Sequence, residues 1–168
     1  MKTKLDTVAN IAIIVVCAVA AVILIRNNFF PPRPPGAPEQ VEAGEQFDEL
    51  KQVVPAGSKQ ALVIAVSPTC HFCTESIPFY KRLQEERNQK GSGVKLVTAV
   101  PAAAAREEET KLMTAGGFTP DSVVELNFAT VKVPGTPTLM LVDKEGKVLN
   151  VWVGKLNEDG EKEVLKVL

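Results

Sequence analysis

Sulfur and imidazole are scarce in this sequence: 168 residues hold three cysteines and one histidine, His71. Structural zinc takes four ligands, usually from two C-x-x-C or Cys/His pairs. Here there is one pair, Cys70 and Cys73, and the third cysteine, Cys17, sits inside an apolar run. Basic charge is not in excess, with 19 Lys and Arg against 20 Asp and Glu. Setting aside Lys2, Lys4, Arg26 and Arg33, together with Asp6, Glu39 and Glu42, leaves a slightly acidic remainder. A surface built to neutralise phosphates has the opposite sign, so nucleic acid is not an expected partner. No internal repeat is visible. A hydrophobic content of 45% and a charged content of 23% fit one globular domain with an appendage rather than a disordered chain.

The appendage is N-terminal. Ile11 to Ile25 is an apolar run of 15 residues with Cys17 counted, and Thr7 to Ile25 reaches 19 with only Asn10 interrupting. As a helix that length spans about 28 Å, close to a bilayer core. Ala18-Val19-Ala20 offers a signal-cleavage pattern, but the apolar run continues past it to Ile25, where a cleavage region turns polar. Lipidation at Cys17 lacks the small residues it needs before the cysteine. Charge at both ends and the absence of an amphipathic face disfavour a buried core helix. The expectation is an uncleaved membrane anchor over residues 1–26, contacting the membrane through residues 7–25; a cleaved, freely soluble form is the alternative. Basic residues flank the segment equally and do not orient it. A short N-terminal tail cannot hold a folded domain and a cysteine pair suits an oxidising compartment, so the C-terminal part is expected on the extracytoplasmic side of a cell membrane. Residues 27–43 read as a linker: five of the chain's 12 prolines fall between Pro31 and Pro38, favouring a semi-rigid polyproline II spacer. A ligand for a proline-binding module is the alternative reading of that stretch.

From Gly44 to Leu168 the periodicity alternates. Glu45–Val54 places Phe47, Leu50, Val53 and Val54 at helical spacing. Gln60–Val66 is a short apolar run that predicts a strand buried on both faces. Thr74–Lys90 predicts a helix closed by Gly91-Ser92-Gly93, and Val94–Val100 a second strand. Ala102–Thr114 reads as a helix. Thr119-Pro120-Asp121 has the form of a helix N-cap with proline behind it, while Val123–Phe128 equally suits a strand. Thr138–Val142 and Lys147–Val153 predict an antiparallel hairpin about the turn Asp143–Gly146, and Asn157 caps a last helix. This order fits an α/β domain over residues 44–168, with a central sheet covered on both faces.

Ser67-Pro68-Thr69-Cys70-His71-Phe72-Cys73 lies between the first strand and the helix after it. Cys70 then falls at or just before a helix N-terminus, where free N–H groups and the helix dipole favour the thiolate. Cys73, one turn on, lies beneath it, which makes Cys70 the attacking sulfur and Cys73 the resolving one. His71 and Phe72 sit where they can tune the thiolate, His71 by charge when protonated. C-x-x-C also serves metal clips and inert disulfides. A metal clip lacks ligands, haem attachment would need histidine where Thr74 stands, and a peroxidatic site would separate Pro68 from Thr69. A loop closed by residues three apart stabilises little.

Cys70-His71-Phe72-Cys73 after a buried strand, Pro78 beyond it, and Val133-Pro134-Gly135-Thr136-Pro137-Thr138 before a strand together resemble the thioredoxin superfamily. The closing hairpin and Gly154 before the last helix match as well. The interval from Cys73 to Pro137 has room for the extra βα insertion of the membrane-anchored TlpA/ResA-like branch. The resemblance implies a thioredoxin-like fold, a central mixed sheet with helices on both faces, preceded by one transmembrane helix. It implies a cis bond before Pro137, with Thr136 and Pro137 facing an incoming peptide. It implies a thiol-disulfide oxidoreductase of undetermined direction, with no cofactor and no metal, exchanging disulfides with protein substrates and a redox partner as a monomer. A non-enzymatic metal-carrier or interaction module is the alternative. Two departures matter. The family's buried acid six residues ahead of the first cysteine is Ile64 here, and its tryptophan just before that cysteine is Thr69. Proton removal from Cys73 then needs another group, for which Glu75 is the nearby candidate in sequence.

Overall fold

The computed structural model of the chain describes residues 13–24 and 39–168, in two units that divide between Pro38 and Glu39. The first unit contributes helix α1, residues 13–24, whose apolar side chains, Ile14 and Leu24 among them, are exposed. No helix among the described residues is long and apolar enough to cross a membrane. The remaining residues of the expected anchor and linker, 1–12 and 25–38, lie outside the described residues.

The second unit is built on β1 (Gln60–Ala65), whose unbroken apolar run is buried on both faces from Ala61 to Ala65. It pairs in parallel with β2 (Lys95–Val100) and antiparallel with β4 (Thr138–Asp143). β3 (Ser122–Glu125) adds to β2 in parallel, and β5 (Val148–Val153) to β4 antiparallel. The mixed sheet therefore has five strands in the order β3-β2-β1-β4-β5. Successive strand residues point to opposite faces. Leu62, Ile64, Leu96 and Val100 enter one core with Tyr80, Met113 and Val164. Ala61, Val63, Val97 and Ala99 enter the other with Val41, Leu50, Leu126 and Val131.

The two faces are covered unequally. The first core takes α4 (Ile77–Lys90), α5 (Ala105–Ala115) and α6 (Glu158–Lys166). The second takes one short helix, α2 (Asp48–Lys51), and irregular chain. The helix predicted over Glu45–Val54 is thus a single turn. Gln46 bridges Lys147, and Phe47 N–H donates to Gly146 O, so the backbone is committed to the hairpin until Asp48. The compact unit begins at Glu39, ahead of Gly44, because Val41 is buried and its N–H donates to Lys132 O at 2.8 Å.

The helix predicted from Thr74 starts earlier and breaks once. α3 (His71–Glu75) and α4 meet at Ser76, which ends one and begins the other. Pro78, in the first turn of α4, has no N–H to return to Thr74 and so favours a fresh helix start there. The open choice after Thr119 resolves as strand. Asp121 N–H donates to Leu96 O, and its carboxylate accepts from Leu96 N–H at 2.7 Å and from Arg87. The Asp121 carboxylate, which in a helix capped at Thr119 would have stood in the first turn, holds the sheet edge instead. α5 and β3 together fill the interval that the sequence leaves for an insertion.

Candidate active site

The C-terminal end of β1 delivers the chain into Ser67–Thr69, and Cys70 becomes the N-cap of α3 with extended backbone at φ −87° and ψ 102°. Its Sγ accepts the Cys73 N–H at 3.1 Å, so the sulfur takes one of the free donors at the helix start. Cys70 and Cys73 are joined as a disulfide with Cα atoms 5.2 Å apart. The two sulfurs are unequal: Cys70 is partly exposed, while Cys73 is 1% exposed and belongs to the core beneath α4. Of the two sulfur-bearing residues, Cys70 is the one open to solvent.

The loop before β4 closes the site. Thr136-Pro137 is a cis peptide bond, and Thr136 O lies 3.2 Å from Cys70 Sγ. Pro137 is buried and Thr136 partly exposed. Thr138 Oγ1 donates to Gly135 O at 2.7 Å, and Gly154 N–H donates to Pro137 O at 2.7 Å, tying this loop to the strand at its side. Residues 66 apart in sequence thus meet at the sulfur. Proline supplies no N–H there, so it adds no donor beside the sulfur.

His71 and Phe72 stand outward. The His71 side chain is 80% exposed, and its Nε2 lies 3.0 Å from Glu75 Oε1. Lys155 Nζ donates to the other carboxylate oxygen of Glu75 at 2.8 Å. Phe72, 56% exposed, is a large apolar side chain on the same helix start as Cys70. Glu75 does not suit the proton-acceptor role. The hydrogen bond from Lys155 leads a set of effects, with the His71 charge among the smaller ones, that holds its carboxyl below the ordinary carboxylate range. A carboxylate so stabilised is a poorer base, and it lies on the surface side of α3. Ile64 is fully buried on the sheet face that Cys73 packs against.

Three further groups escaped the sequence reading. Tyr80 OH, Thr98 Oγ1 and both carboxylate oxygens of Glu109 are buried without a hydrogen-bond partner among the described residues. Glu109 is 0% exposed, and burial first, then the neighbouring Glu108, raises its pKa. Burial also raises the pKa of Tyr80; Ser76 opposes that shift and the charge of Glu109 adds to it. The signal was available in part: Glu109 stands four residues before Met113 and three before Leu112, on the apolar side of its helix. No group of three or more His, Cys, Asp or Glu side chains poised to hold a metal occurs among the described residues.

A family model described as a thioredoxin-like domain matches residues 46–167. No curated protein matches the chain. Solved structures do. The thioredoxin domain of a thiol-disulfide oxidoreductase from Bacteroides vulgatus aligns at 18% identity and a TM-score of 0.51, covering 81% of this chain and 99% of that one. StoA from Bacillus subtilis aligns at 15% identity and a TM-score of 0.52, covering 67% and 84%. A thiol-disulfide isomerase from Corynebacterium glutamicum aligns at 14% identity and a TM-score of 0.53, covering 80% and 96%. Likeness at such identities speaks for the fold.

Proposed function

This chain belongs to the thioredoxin-like domain family, and from that premise we propose that it is a thiol-disulfide oxidoreductase acting on protein thiols and disulfides. The observation that carries the reading is the asymmetry of the cysteine pair. Cys70 caps a helix at the surface beside the cis-proline loop, and Cys73 is bonded to it from below.

In the reducing direction the Cys70 thiolate attacks one sulfur of a substrate disulfide. A bond forms from Cys70 to that sulfur, the substrate's own disulfide breaks, and its second sulfur leaves as a thiolate that takes a proton. Cys73, as thiolate, then attacks Cys70 Sγ; the intramolecular disulfide forms and the first substrate sulfur is released. The reverse sequence oxidises a substrate dithiol. An extended peptide lying across Thr136 and Phe72 would be held by the Thr136 backbone and by apolar contact with the ring.

The test uses two variants of the full chain. Cys70→Ser should abolish exchange with a model disulfide, and Cys73→Ser should accumulate mixed disulfides through Cys70, seen as mass adducts and as trapped proteins in cells. Unchanged turnover by Cys70→Ser would refute the mechanism.

The reading extends to a membrane-tethered protein with this domain on the extracytoplasmic side. What supports it is the apolar run Ile11–Ile25, the proline-rich stretch after it, and a cysteine pair that oxidising compartments maintain. Protease added to intact cells should remove the domain if it faces outward, and a mass measurement of the mature N-terminus should find the run retained.

A further inference from the structure

The redox site is made of two banks that the chain joins only at a distance. One is α3, with Cys70 at its cap, Phe72 exposed and Glu75 at its last position. The other is the cis-proline loop together with the residues that end β5. Thr136 O approaches Cys70 Sγ at 3.2 Å, 66 residues away in sequence. An extended peptide that reaches the sulfur touches both banks, so their separation decides how well it fits.

The bank around Pro137 is continuous with the end of β5. Val153 is the register partner of Thr138, and Gly154 N–H donates to Pro137 O at 2.7 Å. The next residue, Lys155, donates from Nζ to Glu75 Oε2 at 2.8 Å, 80 residues away in sequence. Glu75 Oε1 in turn lies 3.0 Å from His71 Nε2, one turn back on α3. The contacts therefore close a ring: Cys70 through α3 to Glu75, Glu75 to Lys155, Gly154 to Pro137, and Thr136 back to Cys70. Among the described residues no other hydrogen bond or ion pair joins α3 to the turn between β5 and α6. Phe72 and Val153, the two exposed large apolar side chains of the second unit, stand one on each bank.

We propose that Lys155 is a positioning residue for the exchange reaction: through Glu75 it holds α3 at a fixed distance from the cis-proline loop, so that a peptide substrate meets Phe72 and Thr136 together. This rests on the thiol-disulfide reading above. The pair touches no reacting atom. It acts on the fit of an extended chain, which a small disulfide does not need. His71, when protonated, adds a third charge at the same carboxylate, making a short network rather than an isolated pair. The Lys155 and Glu75 side chains are 48% and 36% exposed, so the effect is modest and weakens as salt screens it. A brace and a purely electrostatic role leave different signatures. Charges acting only on the Cys70 thiolate would move its reactivity in opposite directions when the cation and when the anion is removed. A brace is lost in the same way whichever partner goes.

The experiment mixes the reduced full-length protein in detergent with two disulfides: an uncharged, end-blocked peptide carrying one intramolecular disulfide, and a small uncharged aromatic disulfide. The protein dithiol becomes the Cys70–Cys73 disulfide as either substrate is reduced to its thiols. Rates against peptide concentration give a half-saturating concentration and a limiting rate. Lys155→Met and Glu75→Gln should each raise the half-saturating concentration roughly three- to fivefold, with the limiting rate and the small-disulfide rate held within about twofold. Lys155→Arg should keep the wild-type value, and Glu75→Lys combined with Lys155→Glu should recover most of it. Opposite shifts in the two single variants, an equal loss with both disulfides, or no shift at all would overturn the proposal. Wild type alone supplies a check free of any folding defect: about 1 M sodium chloride should raise its half-saturating concentration to the variants' value and leave the variants unmoved. A salt response shared by wild type and variants would also overturn it. Wild-type protein that reacts with neither disulfide would instead sink the exchange reading itself.

Discussion

Cys70 and Cys73 are three residues apart and covalently joined, yet they occupy opposite environments. Around Cys70 the structure is outward and charged. Phe72 is exposed, His71 and Lys155 hold Glu75, and the helix start faces the sulfur. Around Cys73 it is inward and assembled from distant parts: Ile64 of β1, Tyr80 of α4 and Met113 of α5 belong to the same core. The difference teaches that one motif carries two chemical problems. The Cys70 sulfur is met by the backbone of a helix start, whereas the surroundings of Cys73 are assembled from the rest of the fold.

The largest effect that would break this comparison is in thiol reactivity. In the reduced protein, Cys70 should be alkylated at least on the order of tenfold faster than Cys73, read by mass mapping of the labelled sites. Equal labelling would erase the asymmetry. Next come two glycines, one on each side. Gly116→Ala must push against Ile77 and should lower unfolding free energy by about 1–3 kcal/mol. Gly135→Ala, with nothing within 4 Å of its added Cβ, should stay within roughly 0.5 kcal/mol. Denaturant unfolding of both variants checks the contrast, and similar losses would count against a tightly packed inner side.

Smaller effects concern pH, and the two sides should respond with opposite sign. Burial raises the Glu109 pKa in the folded state, so the native protein holds that proton more tightly than the unfolded chain. The stability it contributes is complete below the ordinary carboxylate pKa and is lost as pH rises through the raised value. Glu109→Gln should remove that downward slope, and parallel stability profiles of variant and wild type would contradict it. On the outer side, Lys155 chiefly lowers the Glu75 pKa, so its contribution is present above the ordinary carboxylate pKa and lost as pH falls through the lowered one. Lys155→Ala should bring the Glu75 carboxyl back toward its usual titration by NMR. Because the pair is exposed, unfolding stability should barely move.

The strand, the helix start at the motif and the closing hairpin were legible in the sequence because their determinants are local. The apolar run at Gln60 makes a strand, the motif that follows starts a helix, and Asn157 caps α6 by accepting the Gly160 N–H at 2.9 Å. The closing hairpin follows from alternation and a turn in which Gly146 adopts φ +77°. Where local signals competed, long-range bonds chose. Asp121 became a strand anchor instead of a first-turn residue of a helix capped at Thr119 because Leu96 offered it a backbone N–H, and α2 shrank to one turn because Gly146 and Lys147 claimed the residues before it. Glu75 looked like a base from its place in sequence, and Lys155, 80 residues on, makes it a poor one.

The sequence by itself determined the strand–cysteine–helix unit and the closing hairpin, since each rests on neighbours within a few turns of chain, while the cis bond before Pro137 is expected from the family resemblance. Only the tertiary structure decided what surrounds Cys73. The parallel pairing of β1 with β2 sets Thr98 beside Ile64, and the packing of Gly116 on Ile77 brings α5 against the start of α4. Glu109 is buried by contacts that do not exist until the sheet has closed. Solvent exclusion, which gives that carboxyl its raised pKa, is a property of the assembled core and not of any segment within it.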